Sequence, residues 1–148
     1  MNLILNKNFE EIKTKLINFF SGRDDICFAY VFGSIAKNAL RPLSDIDIAV
    51  YLQENDPNQD LFEKRIRLLH QLFQLLGTER IDLIILNNSS LELNYRILKS
   101  GYLLIENKPE KRIEFYHKIV RNYLDFSPFL NIRNKIIQKK MFEGTYFD

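Results

Sequence analysis

A pair of aspartates opens an apolar run near residue 45, and their spacing strongly constrains the local fold. Asp45 and Asp47 stand at positions i and i+2, and successive side chains of a strand point to opposite faces. Both carboxylates are therefore expected on one face, with Ile46, Ile48 and Val50 on the opposite, buried face. Two like charges one pleat apart repel each other unless a cation neutralises both. The pair predicts a site for a hard, oxygen-seeking ion such as Mg²⁺.

A Gly-Ser pair, Gly33 and Ser34, precedes the aspartates, with ten residues between Ser34 and Asp45. A glycine lets the backbone approach a ligand closely, and a serine hydroxyl can donate to a phosphate oxygen. Residues 34–38 are predicted to form the first turn of a short helix, whose N–H groups attract phosphate. Lys37 and Arg41 add positive charge that could meet a triphosphate. The motif predicts phosphate binding at one end and metal binding at the other.

Residues 33–47, from the Gly-Ser pair to the second aspartate, resemble the motif of the polymerase-β-like nucleotidyltransferases. In that motif a Gly-Ser turn is followed by Asp-x-Asp and, on a later strand, a third acidic residue. Asp82 is the candidate third acid, because it opens the β-type run that ends at Leu86. If that strand pairs beside the first, Asp82 lies within reach of the same metal ions. Asp56, Asp60 and Glu79 are also close in sequence and are predicted to be a cap, a helix surface and a turn.

The resemblance implies an α/β (α+β) fold, with a small mixed sheet flanked by helices and with C-terminal helices. A length of 148 residues without a Gly/Ser-rich or Pro-rich linker favours one domain, with a core over about residues 26–106 and a helical extension over about 109–148. Balanced charges, 21 basic and 19 acidic, are typical of a soluble globular protein. The single cysteine, Cys27, excludes an internal disulfide and favours a reducing cytoplasm. The sequence contains no run of membrane-spanning length.

Hydrophobic periodicity predicts alternating helices and strands. The first half of the chain is predicted to contain a helix from about Asn8 to Phe20, strands Ile26–Phe32 and Asp45–Leu52, and a helix that Asp56-Pro57 begins and Gly77 ends. The core face of that helix is predicted to be Phe62, Ile66, Leu69, Phe73 and Leu76. The second half is predicted to begin with a strand Ile81–Leu86. A helix follows, begun by the capping box Ser89-Ser90-Leu91-Glu92 and ended by Gly101, and then a short strand Tyr102–Ile105. The last predicted elements are a helix opened by Pro109 and a final helix from Pro128 to about Lys140.

Other polar residues favour ordinary structural roles. His70 and His117 are each predicted on the polar flank of a helix, and no Cys/His metal spacing is present. The last helix is basic and is predicted to be a solvated face; its basic residues are Arg133, Lys135, Lys139 and Lys140. A nucleic-acid stripe would interleave stacking aromatics with these charges, so no direct nucleic-acid partner is expected.

A closer resemblance covers most of the chain, roughly Phe28 to Phe129. Residues 86–106 and 123–129 look like the corresponding stretches of the MntA-type minimal nucleotidyltransferases, although Ser89-Ser90 replaces the proline-containing wording common there. This resemblance implies an antitoxin that transfers AMP from ATP onto a tyrosine of a partner HEPN-type (HepT-like) ribonuclease toxin. Asp45 and Asp47 are expected to hold two Mg²⁺ ions. Asp82 is expected to bind one of them and to receive the acceptor's proton.

A chain of this size has no obvious domain to enclose a second substrate, so the acceptor is expected to be a protein that completes the site. The C-terminal helices and the aromatic tail Tyr146-Phe147 are candidate contact surfaces, or they simply pack on the sheet. Two alternatives remain: a non-catalytic module that neutralises a partner by contact, and a small-molecule nucleotidyltransferase of the antibiotic-modifying kind. The sequence leaves the base preference, the number of AMP groups and any homo- or hetero-oligomer open.

Overall fold

The computed structural model describes residues 2–36, 45–54 and 58–142. Helices and strands alternate along the chain, as the hydrophobic periodicity predicts. The elements in chain order are α1 Asn2–Phe20, β1 Ile26–Phe32, α2 Gly33–Ala36, β2 Ile46–Leu52, α3 Leu61–Leu76, β3 Ile81–Ile85, α4 Leu91–Ser100, β4 Tyr102–Glu106 and α5 Pro109–Phe142. The strand bounds agree with the predicted ones to within one residue, whereas α1 begins six residues earlier than predicted.

The four strands form one mixed sheet in the order β3-β2-β1-β4. β1 pairs antiparallel with β2 and with β4, whereas β2 and β3 are parallel and are joined through α3. A parallel pair needs a crossover connection of this kind, because a short turn cannot return the chain to the same end of the sheet. The crossover brings the starts of β2 and β3 together at one end of the sheet, and β1 ends there as well.

Two apolar cores lie on opposite faces of the sheet. On one face, α1 and α3 cover the β-branched and leucine side chains of β2 and β3, among them Ile46, Ile48 and Val50. On the other face, α4 and the first half of α5 cover an aromatic cluster of Phe28, Tyr51 and Phe115. Alternation along β2 therefore sends its isoleucines into one core and leaves the opposite face for Asp47. No helix among the described residues is long and apolar enough to cross a membrane.

Helix α3 departs from the prediction at its start and on its buried face. It begins at Leu61 with Asp60 as N-cap, whose carboxylate accepts from two backbone N–H groups. The prediction that Asp56 caps this helix, and that Asp60 lies on its surface, is therefore wrong; Asp56 and Pro57 lie outside the described residues. Leu68 and Leu72 are buried, whereas Phe62 and Ile66 of the predicted core face are 69% and 45% exposed. Gly77 ends the helix as predicted, in the left-handed conformation.

The N-cap of α4 lies one residue later than predicted, and the predicted capping box is not formed, because the third residue after the cap is Leu93. Ser90 is the N-cap and accepts from the N–H of Leu93, whereas the Ser89 hydroxyl donates to the buried side chain of Asn94. Asn94 in turn donates to the carbonyl of Leu86 at 3.2 Å. Ser89 is thus used to satisfy a buried amide, so the neighbouring serine caps the helix.

Pro128 does not start a new helix, and the prediction that it does is wrong. It lies inside α5, which continues without interruption from Pro109 to Phe142. A proline within a helix removes one backbone hydrogen bond, here the one that the carbonyl of Leu124 would accept. Both Leu124 and Pro128 are exposed, so water can satisfy that carbonyl and the helix continues.

Cys27 is buried, and its surroundings do not favour a reactive thiol. Its thiol donates to the side-chain carbonyl of Gln53 at 3.3 Å. Burial raises the pKa of this thiol, which reduces the fraction present as the nucleophilic thiolate.

Asn107 joins the end of α1 to the start of β1, and its loss is expected to destabilise the fold. Its amide donates to the carbonyls of Phe20, Arg23 and Ile26 at 2.9, 3.2 and 2.9 Å, and its oxygen accepts from the N–H of Gly22. Asn107→Ala removes three side-chain hydrogen bonds from partly buried carbonyls, and those of Phe20 and Arg23 then keep only backbone hydrogen bonds of 3.4 Å. We therefore expect the free energy of unfolding to fall by about 2 kcal/mol. Urea denaturation measures this, with Asn131→Ala on the exposed part of α5 as the control.

Candidate active site

Asp47 and Asp82 lie opposite each other on adjacent strands. Asp47 is the second residue of β2 and Asp82 the second residue of β3, and they are directly in register. Neighbouring strands are about 4.8 Å apart, so the two carboxylates leave the same face of the sheet at short range. We call Asp47 and Asp82 the carboxylate pair. The structure thus brings together the two acids that the sequence predicts on neighbouring strands.

The Gly-Ser turn contacts the carboxylate pair directly. Gly33 follows β1, whose last residue, Phe32, is in register with Asp47. The backbone of Gly33 has a φ of +68°, which L side chains rarely adopt, and a Cβ built there would overlap the Asp47 carboxylate oxygen and lie 3.2 Å from its Cγ. Position 33 therefore requires glycine for two reasons, its backbone conformation and the closeness of Asp47.

The carboxylates around Asp47 repel one another. Burial, followed by the negative charges of Asp82 and Asp45, raises the pKa of Asp47 above its ordinary value. Asp45 is exposed and directly precedes β2. A group whose ionised form is disfavoured in this way gains from any cation that binds nearby.

Arg65 brings a positive charge close to Asp82 of the carboxylate pair. It extends from α3 to the edge strand β3, where its Nε donates to the carbonyl of Leu83 at 2.7 Å and its guanidinium lies 3.8 Å from the Asp82 carboxylate. Asp82 is 54% exposed, so this long contact adds little stability. The sequence does not single out Arg65, because Lys64 and Arg67 beside it give the same charge signal.

The carboxylates of the three aspartates are chemically suited to bind a magnesium ion. Asp45, Asp47 and Asp82 offer only carboxylate oxygens, which Mg²⁺ prefers, and burial, followed by the charges of Asp82 and Asp45, raises the pKa of Asp47. Within residues 2–36, 45–54 and 58–142, no three side chains of the His, Cys, Asp and Glu types lie close enough to share one ion. Coordination by all three aspartates would therefore require their side chains to turn toward the ion.

Other residues that the sequence singled out lie apart or outside the description. His70 and His117 are exposed on α3 and α5, as predicted. Lys37 and Arg41, predicted to meet a triphosphate, lie outside the described residues, and so does the tail Tyr146-Phe147.

Removing the charge of Asp47 is expected to stabilise the fold in the absence of divalent metal. Because the folded-state pKa of Asp47 is raised, its ionised form opposes folding at neutral pH, and this penalty disappears as pH falls below the ordinary carboxyl pKa of about 3.9. We expect Asp47→Asn to raise the free energy of unfolding at pH 7 by less than about 1 kcal/mol, since the carboxylate is only partly buried.

Urea denaturation in EDTA at pH 7 and pH 4 measures this effect, and the gain should shrink at the lower pH. Asp125→Asn on exposed α5 is the matched control. A variant less stable than wild type at pH 7 in EDTA would contradict the electrostatic account.

Comparison with known proteins identifies the family. The family model described as "Polymerase beta, Nucleotidyltransferase" matches residues 14–110, which include Gly33, Ser34 and all three aspartates. The chain belongs to the polymerase-beta nucleotidyltransferase family. The predicted fold class and the prediction of a nucleotidyltransferase are therefore confirmed.

A curated relative of this nucleotidyltransferase comes from Methanocaldococcus jannaschii and carries the name "Putative protein adenylyltransferase". It is 36% identical over 94 residues, which cover 64% of this chain and 95% of the relative.

Solved structures with the same fold include toxin-antitoxin complexes. A crystal structure of a toxin-antitoxin with AMP-PNP matches with a TM-score of 0.66 and 25% identity, covering 87% of this chain and 98% of the other. A tri-AMPylated Shewanella oneidensis HEPN toxin in complex with MNT antitoxin matches with a TM-score of 0.62 and 24% identity, covering 90% and 98%. A toxin-antitoxin MntA-HepT structure matches with a TM-score of 0.57 and 24% identity, covering 92% and 98%. The similarity to MntA-type chains predicted from the sequence is thus confirmed.

Proposed function

We propose that this nucleotidyltransferase is an antitoxin that transfers AMP from ATP onto a tyrosine of a partner HEPN-type toxin. The observation that carries the proposal is the contact of Gly33 with Asp47 beside Asp82, because it brings the turn proposed to bind phosphate next to the carboxylate pair proposed to bind metal. The acceptor is inferred from the similar solved complexes, one of which contains a HEPN toxin that is AMPylated in complex with an MNT antitoxin.

The proposed reaction is an in-line displacement at the α-phosphorus of ATP. The tyrosine oxygen forms a bond to this phosphorus, the bond to the β-phosphate oxygen breaks, and pyrophosphate leaves. Two Mg²⁺ ions would be held by Asp45, Asp47 and Asp82. When bound, the ions would neutralise negative charge on the attacking and leaving oxygens. A free tyrosine has a pKa of about 10, so a positioned base is needed near neutral pH. Asp82 is the proposed base, because its carboxylate is 54% exposed at the end of the sheet where it lies opposite Asp47.

The residues of the turn are proposed to hold the triphosphate. The absence of a side chain at Gly33 lets phosphate approach the backbone N–H groups, and the Ser34 hydroxyl can donate to a phosphate oxygen. Lys37 is proposed to add a positive charge beside them. Arg65 would keep Asp82 oriented through its bond to the Leu83 carbonyl on the same strand.

The acceptor is proposed to arrive as a separate protein. The carboxylate pair lies at one end of the sheet, and Asp82 is more than half exposed, so a second macromolecule can reach it. We further propose that residues 1–148 form one minimal domain with a core over about 26–106.

The intact mass of the HEPN-type protein encoded beside this gene tests the proposal. That protein is co-expressed with this chain and, in parallel, with its Asp45→Ala, Asp47→Ala variant. A mass gain in whole AMP units seen only with wild type supports adenylyl transfer. An unmodified partner that still co-purifies would support neutralisation by contact instead, and modification of a small molecule but not of the partner would support the antibiotic-type alternative.

A further inference from the structure

Four large apolar side chains form an exposed stripe on the second half of α5. They are Phe126, Phe129, Ile132 and Ile136, and we call them the α5 stripe. Spacings of three, three and four residues place them within an arc of about 120° on a helix. Phe129, the most exposed of the four, is 67% accessible. A continuous apolar stripe of this kind on a helix surface is a feature of interaction sites.

Contacts with α4 fix the position of the stripe. The rings of Tyr95 on α4 and Tyr123 on α5 stack at 3.7 Å with an interplanar angle of 3°. Ten residues further along α5, the guanidinium of Arg133 donates to the Glu92 carboxylate on α4 at 2.8 Å. The stripe is therefore presented by a helix held at two points, which lowers the entropy cost of binding a partner.

The stripe adjoins a groove between the two helices. Its volume is about 460 Å³, and its lining is mostly apolar, with Leu91 of α4 and Phe126 of α5 among the lining residues. Arg133 and Glu92 also line it. A groove beside an apolar stripe suits an apolar anchor residue from a partner protein, the arrangement that concentrates binding energy in protein interfaces.

The charges around the α5 stripe favour one kind of binding partner over a second copy of this chain or a lipid surface. Residues 130–142 carry four basic residues, Arg133, Lys135, Lys139 and Lys140, and no acidic residue. Two parallel copies of this chain packed stripe to stripe would bring these like charges together. Two antiparallel copies would place the four basic residues against residues 122–129, which offer a single carboxylate, Asp125. A flat lipid surface would leave the groove unfilled and would press the Glu92 carboxylate against anionic headgroups. A protein with an apolar groove edged by Asp and Glu fits both the stripe and its basic surroundings.

We infer that the α5 stripe is the docking surface for the protein acceptor, which meets it with an apolar groove edged by carboxylates. This inference rests on the proposed function, since the docked protein is taken to be the one that receives AMP. Docking on α5 supplies affinity outside the carboxylate pair, so the site itself needs to hold only the reacting side chain. It also predicts that acceptor binding weakens as salt rises.

Binding measured without catalysis tests the inference. The chain carries Asp45→Ala and Asp47→Ala, so no AMP is expected on the HEPN-type protein encoded beside this gene, and the dissociation constant is measured by calorimetry. Adding Phe129→Ala and Ile132→Ala is expected to weaken binding at least about tenfold, as for central apolar anchors. Ile113→Ala is the matched control, because Ile113 is an exposed apolar residue, 48% accessible, in the first half of the same helix.

Charge reversal on the same helix gives a second, independent readout. Lys135→Glu with Lys139→Glu should weaken binding and flatten its salt dependence. Unchanged affinity in both double variants would overturn the inference even if wild type attaches AMP. Weakened binding without any AMP on the partner of wild type would keep the docking surface and reject the transfer reaction. A dimer of this chain alone, or binding to vesicles with 30% phosphatidylserine, that the stripe variant abolishes would also overturn it.

Discussion

Replacing Asp45 and Asp47 together by alanine is expected to lower the proposed AMP transfer to the partner at least about 10³-fold, with little change in folding. Both residues lie at the start of β2, where Asp45 is exposed and Asp47 is only partly buried. Metal ions held by carboxylates stabilise transition-state charge by several kcal/mol, and each 1.36 kcal/mol corresponds to about a tenfold change in rate. The rate of appearance of AMP-modified partner, followed by intact mass at saturating ATP and Mg²⁺, measures the loss.

The matched control replaces two exposed aspartates elsewhere, Asp24→Ala with Asp125→Ala, and should retain wild-type transfer. Circular dichroism and urea denaturation establish that the Asp45→Ala, Asp47→Ala variant is folded. Transfer at more than a tenth of the wild-type rate by that folded variant would show that these aspartates are not the metal-binding residues.

Gly33→Ala is expected to reduce transfer at least about 10²-fold. The added methyl group meets the Asp47 carboxylate, which must turn away from its place opposite Asp82. Misplacing a reacting or metal-binding group by about 1 Å can cost 10²-fold in rate. The left-handed backbone at Gly33 adds about 1–2 kcal/mol of strain, so the variant should also unfold at lower urea concentration.

Gly22→Ala separates these two effects. Gly22 has a φ of +74°, close to that of Gly33, but nothing lies within 4 Å of a Cβ built on it. We therefore expect Gly22→Ala to lose a similar amount of stability while keeping wild-type transfer. Equal activities of the two variants would contradict the role assigned to the contact between Gly33 and Asp47.

The sheet and the site follow from short-range features of the sequence. Period-two alternation places Ile46 and Ile48 in the core and Asp47 on the opposite face. A crossover helix between them makes β2 and β3 parallel and returns the chain to the end of the sheet where β2 starts, so that Asp82 can lie opposite Asp47. These outcomes need only the strand period and the connection length, and both can be read from one chain.

The buried face of α3 and the contact between Arg65 and Asp82 were less predictable from the sequence. The stripe predicted for α3 began at Phe62, but the helix starts at Leu61 after the Asp60 cap, and Leu68 and Leu72 are its most buried residues. Three residues of the predicted stripe, Leu69, Phe73 and Leu76, pack partly buried against the same core. Several apolar stripes on one helix satisfy a 3.6-residue period, so the period alone does not choose the buried one. Likewise, the approach of Arg65 to Asp82 depends on how α3 packs beside the edge strand, and charge patterning does not specify that packing.

The most direct test of AMP transfer follows radioactive phosphate from ATP onto the partner. Purified chain, the HEPN-type protein encoded beside its gene and Mg²⁺ are mixed with ATP that is labelled either at the α-phosphate or at the γ-phosphate. We predict label on the partner from α-labelled ATP alone, with one pyrophosphate released for each AMP attached, and no label when Mg²⁺ is removed by EDTA. Label from γ-labelled ATP, or no label from either while the two proteins remain bound, would contradict the proposed function.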